Sequence, residues 1–387
     1  MILDHLKSQL EGFKAQGLYR HRRVVEKAHG MGAFSDGHPV VNFCANDYLG
    51  LSGHPKVVQA LMHGAEIYGV GSGASHLVTG HGPAHHALEE ELADFCGRER
   101  ALLFSTGYMA NLGVIASFLG RGDWVLADRL NHASLVDGVL LSHAQLKRYH
   151  HADVAELKTL LDRCPPKGKM IITDGVFSMD GDLAPLPELV KLAEKAKAWL
   201  MVDDAHGFGV VGSTGRGVVE HFGLGVAEVP LLVGTLGKAF GTFGAFVAGD
   251  YDMIEYLIHR CRPYIYTTAL PPAIAEATRA SLRLVIAETW RRDKLRTLIE
   301  RFRSGAKQLG LQLLPSTTPI QPIMIGDNYR VTQASQRLQE LGFLVAAIRP
   351  PTVPEGTARL RVTLSALHEE HDVDRLLEGL GGLDLSN

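Results

Sequence analysis

The chain has 387 residues, of which 46% are hydrophobic and 21% are charged, and its formal net charge is −3 at pH 7. This length allows roughly two domains, and the composition is ordinary for a globular protein with a large core. The slightly acidic balance argues against nucleic acid as the main partner, because nucleic-acid-binding domains usually carry a basic face. The cysteines are far apart and form no CxxC pair, which argues against a disulfide framework or a zinc knuckle.

The N-terminal residues are charged and amphipathic, with Leu3, Leu6 and Leu10 at helical spacing, and they predict a helix followed by a connector. We expect neither a signal peptide nor a transmembrane helix, since no apolar run approaches the length of a membrane span, and we predict a cytoplasmic protein. The basic cluster at residues 20–23 is either a solvated face or a binding site. Its ligand would then be an acidic acyl chain or an acidic carrier.

A short strand is predicted over residues 40–44, and a polar turn follows it at 46–50. The glycine-rich stretch at 69–73 lacks the lysine of a P-loop, so it is only a weak signal for phosphate binding. Four histidines come next: His76, His81, His85 and His86.

These histidines do not show the spacing of a metalloprotease, in which two histidines four apart enclose a glutamate. The last two begin an amphipathic helix predicted over residues 84–95. We therefore assign no metal ligands and favour a structural role for the cluster. A metal site at residues 76–86 stays open as an alternative, and it predicts stoichiometric metal in the purified protein.

From residue 99 onward, apolar strands alternate with helical patterns. Strands are predicted at 101–104, 124–127, 169–173, 199–203 and 231–233, and helices at 109–119 and 186–196. This alternation predicts an α/β fold with a mostly parallel central sheet and helices on both faces. Polar residues follow the strands at 107–108, 132, 178, 203–206 and 235–238. Because ligands bind at the carboxyl ends of parallel strands, we expect these residues to line one cleft.

Lys238 and Asp203 indicate the chemistry of this cleft. Lys238 lies among glycines and apolar residues in GTLGKAFG, and burial of a lysine amine lowers its pKa and favours Schiff-base formation with a carbonyl. Asp203 ends an apolar strand, and pyridoxal phosphate (PLP) acts as an electron sink when a carboxylate pairs with its protonated ring nitrogen. Alone, Lys238 could be a surface lysine and Asp203 a turn cap. Together they favour a PLP site.

The C-terminal part is predicted to form a smaller α+β domain, reached through two long helices at 272–290 and 292–309. Arg359 and Arg361 share one face of a predicted strand, where an arginine either clamps a carboxylate or forms a surface ion pair. We divide the chain into an N-terminal helix and connector at 1–45, a large PLP-binding domain at 46–285 and a small C-terminal domain at 286–387.

The motifs GTLGKAFG, VDDAHG, NHASL, DGVFSMDGD and RPPTVPEGTARLR together resemble those of the α-oxoamine synthases, a branch of the fold type I PLP-dependent transferases. The resemblance covers nearly the whole chain. It is greatest to the acyltransferases of biotin biosynthesis, which condense L-alanine with a pimeloyl thioester and release CO2 and the free thiol. This resemblance implies a homodimer with a shared active site, and the acyl donor would be pimeloyl-CoA or pimeloyl-acyl carrier protein.

Two alternatives stay open. A glycine-using synthase, similar to 2-amino-3-oxobutyrate CoA ligase, would belong to the same family. A non-catalytic protein of the PLP fold would instead bind a partner through the basic cluster at 20–23, and it would show no thioester-dependent release of CO2.

The resemblance also implies roles for individual residues. Lys238 would bond to PLP, Asp203 would keep the ring nitrogen protonated, and His132 would stack on the ring and face the substrate. Further cofactor contacts would come from residues around the phosphate and the phenolic oxygen: Gly107, Tyr108, Ser178, His206 and Thr235. Thr267 or Thr268 would reach the phosphate of the neighbouring subunit.

The substrate would contact four other residues, with the amino-acid carboxylate on Arg361 and further contacts from Arg20, Asn46 and Thr352. Asp174 stands where we expect a glutamate in close relatives, so its role is left open.

Overall fold

A computed structural model describes residues 2–20, 22–27 and 30–383. The chain divides into two compact units: a large unit of residues 49–178 and 183–292, and a small unit of residues 1–48, 179–182 and 293–387. The N-terminal residues thus group with the C-terminal ones, while the domain boundaries drawn from the sequence stay a prediction. No helix within the described ranges is long and apolar enough to cross a membrane.

A seven-stranded sheet forms the centre of the large unit. Its strands follow the spatial order Arg100–Phe104, Ala245–Gly249, Leu231–Thr235, Trp199–Asp203, Lys169–Asp174, Trp124–Asp128 and Gln145–Tyr149. Only Ala245–Gly249 runs antiparallel to its two neighbours among these strands. The mostly parallel sheet predicted from the sequence is therefore confirmed.

The helices of the large unit connect these strands or flank them. They are Pro55–Tyr68, Pro83–Cys96, Gly107–Phe118, Ala133–Ser142, Val154–Asp162, Leu186–Ala196, Val218–His221, Tyr251–Arg260, Arg262–Ile265 and Pro272–Ala287, with a π-helical turn at His76–Gly80. The central strands are apolar except at their ends, because both faces of a parallel sheet are covered. Val125, Ile172 and Met201, for example, are fully buried in one cluster with helix residues such as Val114 and Leu135.

Two strands of this sheet were not singled out in the sequence. Gln145–Tyr149 lies at the edge of the sheet, where partial exposure permits polar residues and removes the apolar run that marks the central strands. Ala245–Gly249 is fully buried but short, and its glycine and alanine residues give a weak strand signal.

The small unit contains two further sheets. One is built from Val25–Lys27, Gly32–Ser35, His38–Asn42 and Phe343–Leu344, and the other from Ile320–Gly326, Ala358–Thr363 and Ala346–Ile348. Its helices are Ile2–Ala15, Asn328–Glu340, Glu370–Gly381 and most of Trp290–Gln308, within which the boundary between the units falls. The strand and final helices predicted for this region are confirmed within a few residues.

The short segment 179–182 joins the small unit through hydrogen bonds to its backbone. The hydroxyls of Ser316 and Thr318 each donate to the carbonyl of Gly181 at 2.9 Å. Gly181 has a φ of +74°, and a Cβ at this position would lie 2.4 Å from the carbonyl oxygen of Ile320. Only glycine fits this close approach.

A tight turn follows Lys238 in the large unit. The N–H of Gly241 donates to the carbonyl of Lys238 at 2.8 Å, and Gly241 has a φ of +66°. A Cβ on Gly241 would lie 2.3 Å from the backbone nitrogen of Ser52, so a side chain would require the backbone to move. The glycine thus fixes the path of the chain just after the lysine.

We expect Gly241→Ala to lower the free energy of unfolding by about 3 kcal/mol, because alanine is strained in the left-handed region and also collides with the backbone of Ser52. Urea denaturation followed by circular dichroism measures this change. Gly120→Ala is the matched control, since a Cβ at Gly120 has no neighbour within 4 Å. Equal stability of the two variants would contradict the constraint.

Candidate active site

Polar residues gather at the carboxyl ends of neighbouring parallel strands in the large unit, as the sequence predicts. Asp174 and Asp203 lie opposite each other in the register of their two strands, and Asp203 lies opposite Val233 of the next strand. Lys238 lies on the loop that follows this third strand. The two carboxylates and the lysine therefore come from three consecutive strands of the sheet.

The amine of Lys238 contacts the imidazole of His206, with a distance of 2.8 Å between Nζ and Nε2. His206 is buried, and Lys238 is half-buried. The two side chains reach each other from the loops after neighbouring strands, Trp199–Asp203 and Leu231–Thr235. A hydrogen bond between an amine and an imidazole gives the amine a partner with which it can share a proton.

The carboxylate of Asp203 is buried and held by one hydrogen bond on each oxygen. Its Oδ2 accepts from the side-chain amide of Asn111 at 2.6 Å, and its Oδ1 accepts from the backbone N–H of Ala205 at 3.0 Å. Only 6% of the residue surface is exposed. Burial of a carboxylate is costly unless hydrogen bonds compensate it, so this orientation is fixed by the surrounding structure.

Asn111 extends this arrangement towards His132. Its amide nitrogen also donates to the hydroxyl of Ser134 at 2.8 Å, and this hydroxyl lies 2.7 Å from Nδ1 of His132. One chain of hydrogen bonds thus links Asp203, Asn111, Ser134 and His132. We missed Asn111 and Ser134 in the sequence, although a single asparagine inside the apolar helix Gly107–Phe118 was a usable signal, because a buried amide needs partners.

Asp174, whose role the sequence left open, holds the backbone at His132. Its Oδ2 accepts from the N–H of His132 at 2.7 Å. Burial, reinforced by the charge of Asp203, raises the pKa of Asp174 well above its ordinary value. The aspartate therefore fixes the loop that carries His132, and its environment favours the protonated form.

Asp204, beside Asp203 in the sequence, has a different role. Its Oδ2 accepts from the N–H of Val218 at 2.7 Å, and Cβ atoms at Gly207 and Gly217 would collide with its carboxylate. Asp204 is fully buried, and this burial raises its pKa well above the ordinary value. It ties the loop after Asp203 to the helix Val218–His221.

The helix Gly107–Phe118 begins at the same edge of the sheet. The side chain of Thr106 caps it by accepting from the N–H of Met109 at 3.2 Å. The first N–H groups of a helix have no partner within the helix and carry a partial positive charge, so this end is suited to a phosphate. Tyr108, on the first turn, donates its hydroxyl proton to Asp137 and meets the ring of His132 edge to face at 6.5 Å.

Other predicted cofactor residues make contacts of their own within the large unit. Thr235 donates to the carbonyl of Gly244 at 3.1 Å, and Ser178 is half-buried. Thr267 donates to the carbonyl of Pro263 at 2.5 Å, and Thr268 pairs with Ser75 in an isolated β-bridge. Their predicted contacts with a phosphate, in this or a neighbouring subunit, stay predictions.

The predicted substrate residues lie in the small unit, where Arg361 and Asn46 are brought together. Arg361 is buried and donates to Oγ1 of Thr363 at 3.0 Å and to the side-chain oxygen of Asn46 at 3.3 Å. Arg359 instead forms an ion pair with Asp180. Arg359 and Arg361 share a strand face, and the partners described here differ between them.

Arg20 and Thr352 line one cavity of about 760 Å³ in the small unit. Four cationic side chains contribute to its wall: Lys14, Arg20, Arg23 and Arg349. No carboxylate belongs to the described residues that line it. Of the other two members of the basic cluster, Arg22 is not among the lining residues and His21 lies outside the described residues. The cavity is therefore suited to an acidic group.

The groups in the large unit fit PLP by their chemistry. PLP presents an aldehyde, a pyridine nitrogen, a phenolic oxygen and a phosphate. The structure offers an amine, a fixed carboxylate, an imidazole and a helix N-terminus at one edge of the sheet: Lys238, Asp203, His206 and the start of Gly107–Phe118. Each feature of the cofactor has a complementary group.

Comparisons with known proteins agree with this geometry. The family model for aminotransferase class I and II matches residues 38–380. The chain is similar to the 8-amino-7-oxononanoate synthase of Methylococcus capsulatus, with 62% identity over 96% of each chain.

Two solved structures extend the comparison. A serine palmitoyltransferase from S. paucimobilis with bound PLP has a TM-score of 0.93 and 32% identity, covering 98% of this chain and 96% of that one. An 8-amino-7-oxononanoate synthase from Francisella tularensis has a TM-score of 0.78 and 33% identity, covering 88% of this chain and 97% of that one. These likenesses confirm the fold type I architecture expected from the motifs. The chain therefore belongs to the aminotransferase class I and II family and, within it, to the 8-amino-7-oxononanoate synthases.

Proposed function

We propose that this chain condenses L-alanine with a pimeloyl thioester to form 8-amino-7-oxononanoate, CO2 and the free thiol of the acyl carrier. It is a PLP-dependent acyltransferase, and the reaction is a step of biotin biosynthesis. The single observation that carries the proposal is the contact between Lys238 and His206 at 2.8 Å, beside the fixed carboxylate of Asp203.

Six residues of the large unit would hold the cofactor. Lys238 would bind its aldehyde carbon, Asp203 would hold a proton on the ring nitrogen, and His206 would contact the phenolic oxygen. The N–H groups of Gly107 and Tyr108 would receive the phosphate, while His132 would cover the ring. When bound, PLP supplies an electron sink for the negative charge that develops at the alanine Cα.

Proton transfer would be the task of Lys238. Its amine, once free, is a base that can take the α-proton of alanine and later return a proton to the product. Nε2 of His206, at 2.8 Å, can exchange a hydrogen with this amine and keep it oriented. Asn111 and the backbone of Ala205 hold the two oxygens of Asp203, so this carboxylate would be oriented to pair with the protonated ring nitrogen.

The small unit would recognise the two carboxylates of the substrates. Arg361 would pair with the carboxylate of alanine, because it lies on a strand and hydrogen bonds to Asn46 and Thr363 orient its guanidinium group. The basic cavity that contains Arg20 and Thr352 would take the distal carboxylate of the pimeloyl chain. Each assignment rests on contacts within that unit.

Several properties stay predictions. They are the homodimer with a shared site, the cytoplasmic location, the contact of Thr267 or Thr268 with a neighbouring phosphate, and the choice between coenzyme A and acyl carrier protein. No contact within the described residues favours the glycine-using alternative, and α-proton exchange of alanine compared with glycine separates the two.

We expect Lys238→Ala to abolish turnover of alanine and pimeloyl thioester, because the variant has neither the covalent partner of PLP nor the base. Release of CO2 measures turnover, and the absorbance of the lysine-bound cofactor should disappear with it. Lys158→Ala, on the exposed face of helix Val154–Asp162, should retain both signals. A Lys238→Ala protein with wild-type turnover would refute the assignment.

We expect Asn111→Ala to slow the exchange of the alanine α-hydrogen roughly 10- to 100-fold, because Asp203 loses a hydrogen bond to its charged group. Deuterium exchange followed by NMR measures the rate, and cofactor absorbance reports binding. Ser134→Ala leaves the bond between Asn111 and Asp203 intact and should cost less. Exchange at the wild-type rate in Asn111→Ala would show that this bond does not position Asp203.

We expect Arg20→Ala to raise KM for the pimeloyl thioester roughly 10- to 100-fold, as loss of a hydrogen-bonded charge pair does, and to leave KM for alanine unchanged. Arg163→Ala, a surface arginine of the large unit, is the control. A heptanoyl thioester lacks the distal carboxylate, so Arg20→Ala should have no effect with it. The same loss with both thioesters would contradict the role of Arg20.

A further inference from the structure

The histidines that follow the glycine-rich stretch form, with Glu89, a second polar cluster in the large unit. His81 comes just after the π-helical turn His76–Gly80, and His86 and Glu89 lie three residues apart on one face of helix Pro83–Cys96. The ligand atoms of His81, His86 and Glu89 all lie within 4.8 Å of one another. None of these residues has a part in the reaction described above.

Neighbouring groups hold two of these side chains by the atoms that face away from the cluster. Nδ1 of His81 contacts Nδ1 of His76 at 3.0 Å, which leaves Nε2 of His81 towards Glu89. Oε1 of Glu89 accepts from the N–H of Leu103 at 2.9 Å, and its Oε2 lies 4.0 Å from Nε2 of His81. Metal-binding side chains are oriented in this way, through hydrogen bonds from the atom that does not bind the ion.

Charge and access also suit a cation. Glu89 is buried, and a bound cation would stabilise the ionised form of a buried carboxylate. Its Oε2 lies 4.0 Å from Nε2 of His81, which is too far for a hydrogen bond. The side chain of His86 is 64% exposed, so an ion has a path from solvent and an open coordination position.

We propose that His81, His86 and Glu89 bind one divalent transition-metal ion, with Zn²⁺ as the ion that suits two imidazoles and one carboxylate. The ion would join the turn His76–Gly80 to helix Pro83–Cys96. Small shifts of the side chains would bring the three atoms to coordination distance, and His76 would act as a positioning residue through its contact with His81.

The test uses the PLP-loaded enzyme after treatment with a chelator and dialysis. We expect it to take up one equivalent of Co²⁺ with the visible bands of a tetrahedral site, and Zn²⁺ should displace the Co²⁺. His86→Ala should lower the affinity at least 10-fold, and His76→Phe roughly 10- to 100-fold, as loss of an orienting partner does. His63→Ala, at an exposed histidine of the same unit, should bind as the wild type does.

A second group, formed by His150, Asp153 and Glu156, also has metal-binding residue types. If His150→Ala abolishes the binding and His86→Ala does not, the ion belongs to that group and the proposal is wrong. Absence of binding, or a thiolate charge-transfer band that assigns the ion to a cysteine, would overturn it as well. Because His86 is exposed, His86→Ala should fold normally, and its melting temperature without metal checks this.

Discussion

The burial of the Asp203 carboxylate is the constraint on which the site depends. A charged group at the carboxyl end of a buried strand is stable only if the surrounding structure supplies donors, and here a side-chain amide and a backbone N–H supply them. The same amide reaches the serine that contacts His132, so one asparagine places both groups that would flank a cofactor ring. The sheet, in turn, brings the loop of Lys238 to the same edge as this carboxylate, because their strands are neighbours.

The general architecture was predictable from the sequence because it follows from local rules. Apolar strands that alternate with amphipathic helices specify a parallel sheet, and polar residues after the strands specify the edge at which chemistry occurs. Lys238, Asp203 and His206 were predicted in this way, since each lies at the end of such a strand or in the loop just after it. The motifs then indicated the family, which the comparisons confirm.

Other features depend on contacts between residues distant in sequence and were not predictable. Asn111 stands out as a polar residue inside an apolar helix, but the sequence does not identify Asp203 and Ser134 as its partners. Asp174 and Asp204 look alike in sequence, yet one holds the loop of His132 and the other holds Val218. Arg359 and Arg361 share a strand face, and only their partners, Asp180 and Asn46, distinguish them. In each case the role of the residue depends on its contact partner, which cannot be identified from the sequence.

The direction of strand Ala245–Gly249 has a consequence for the lysine. Because this strand is antiparallel to Leu231–Thr235, with Ala245 opposite Thr235, the segment between them is a hairpin loop anchored in the sheet at both of its ends. The loop that follows Asp203 and the loop that carries His132 instead lead onward to helices. The backbone at Lys238 therefore has little freedom to swing, and the amine can change its bonding partner only by rotation about the four methylene groups of its own side chain. The reactivity of the Lys238 amine would thus be controlled by changes of its side-chain rotamer and not by opening of the loop.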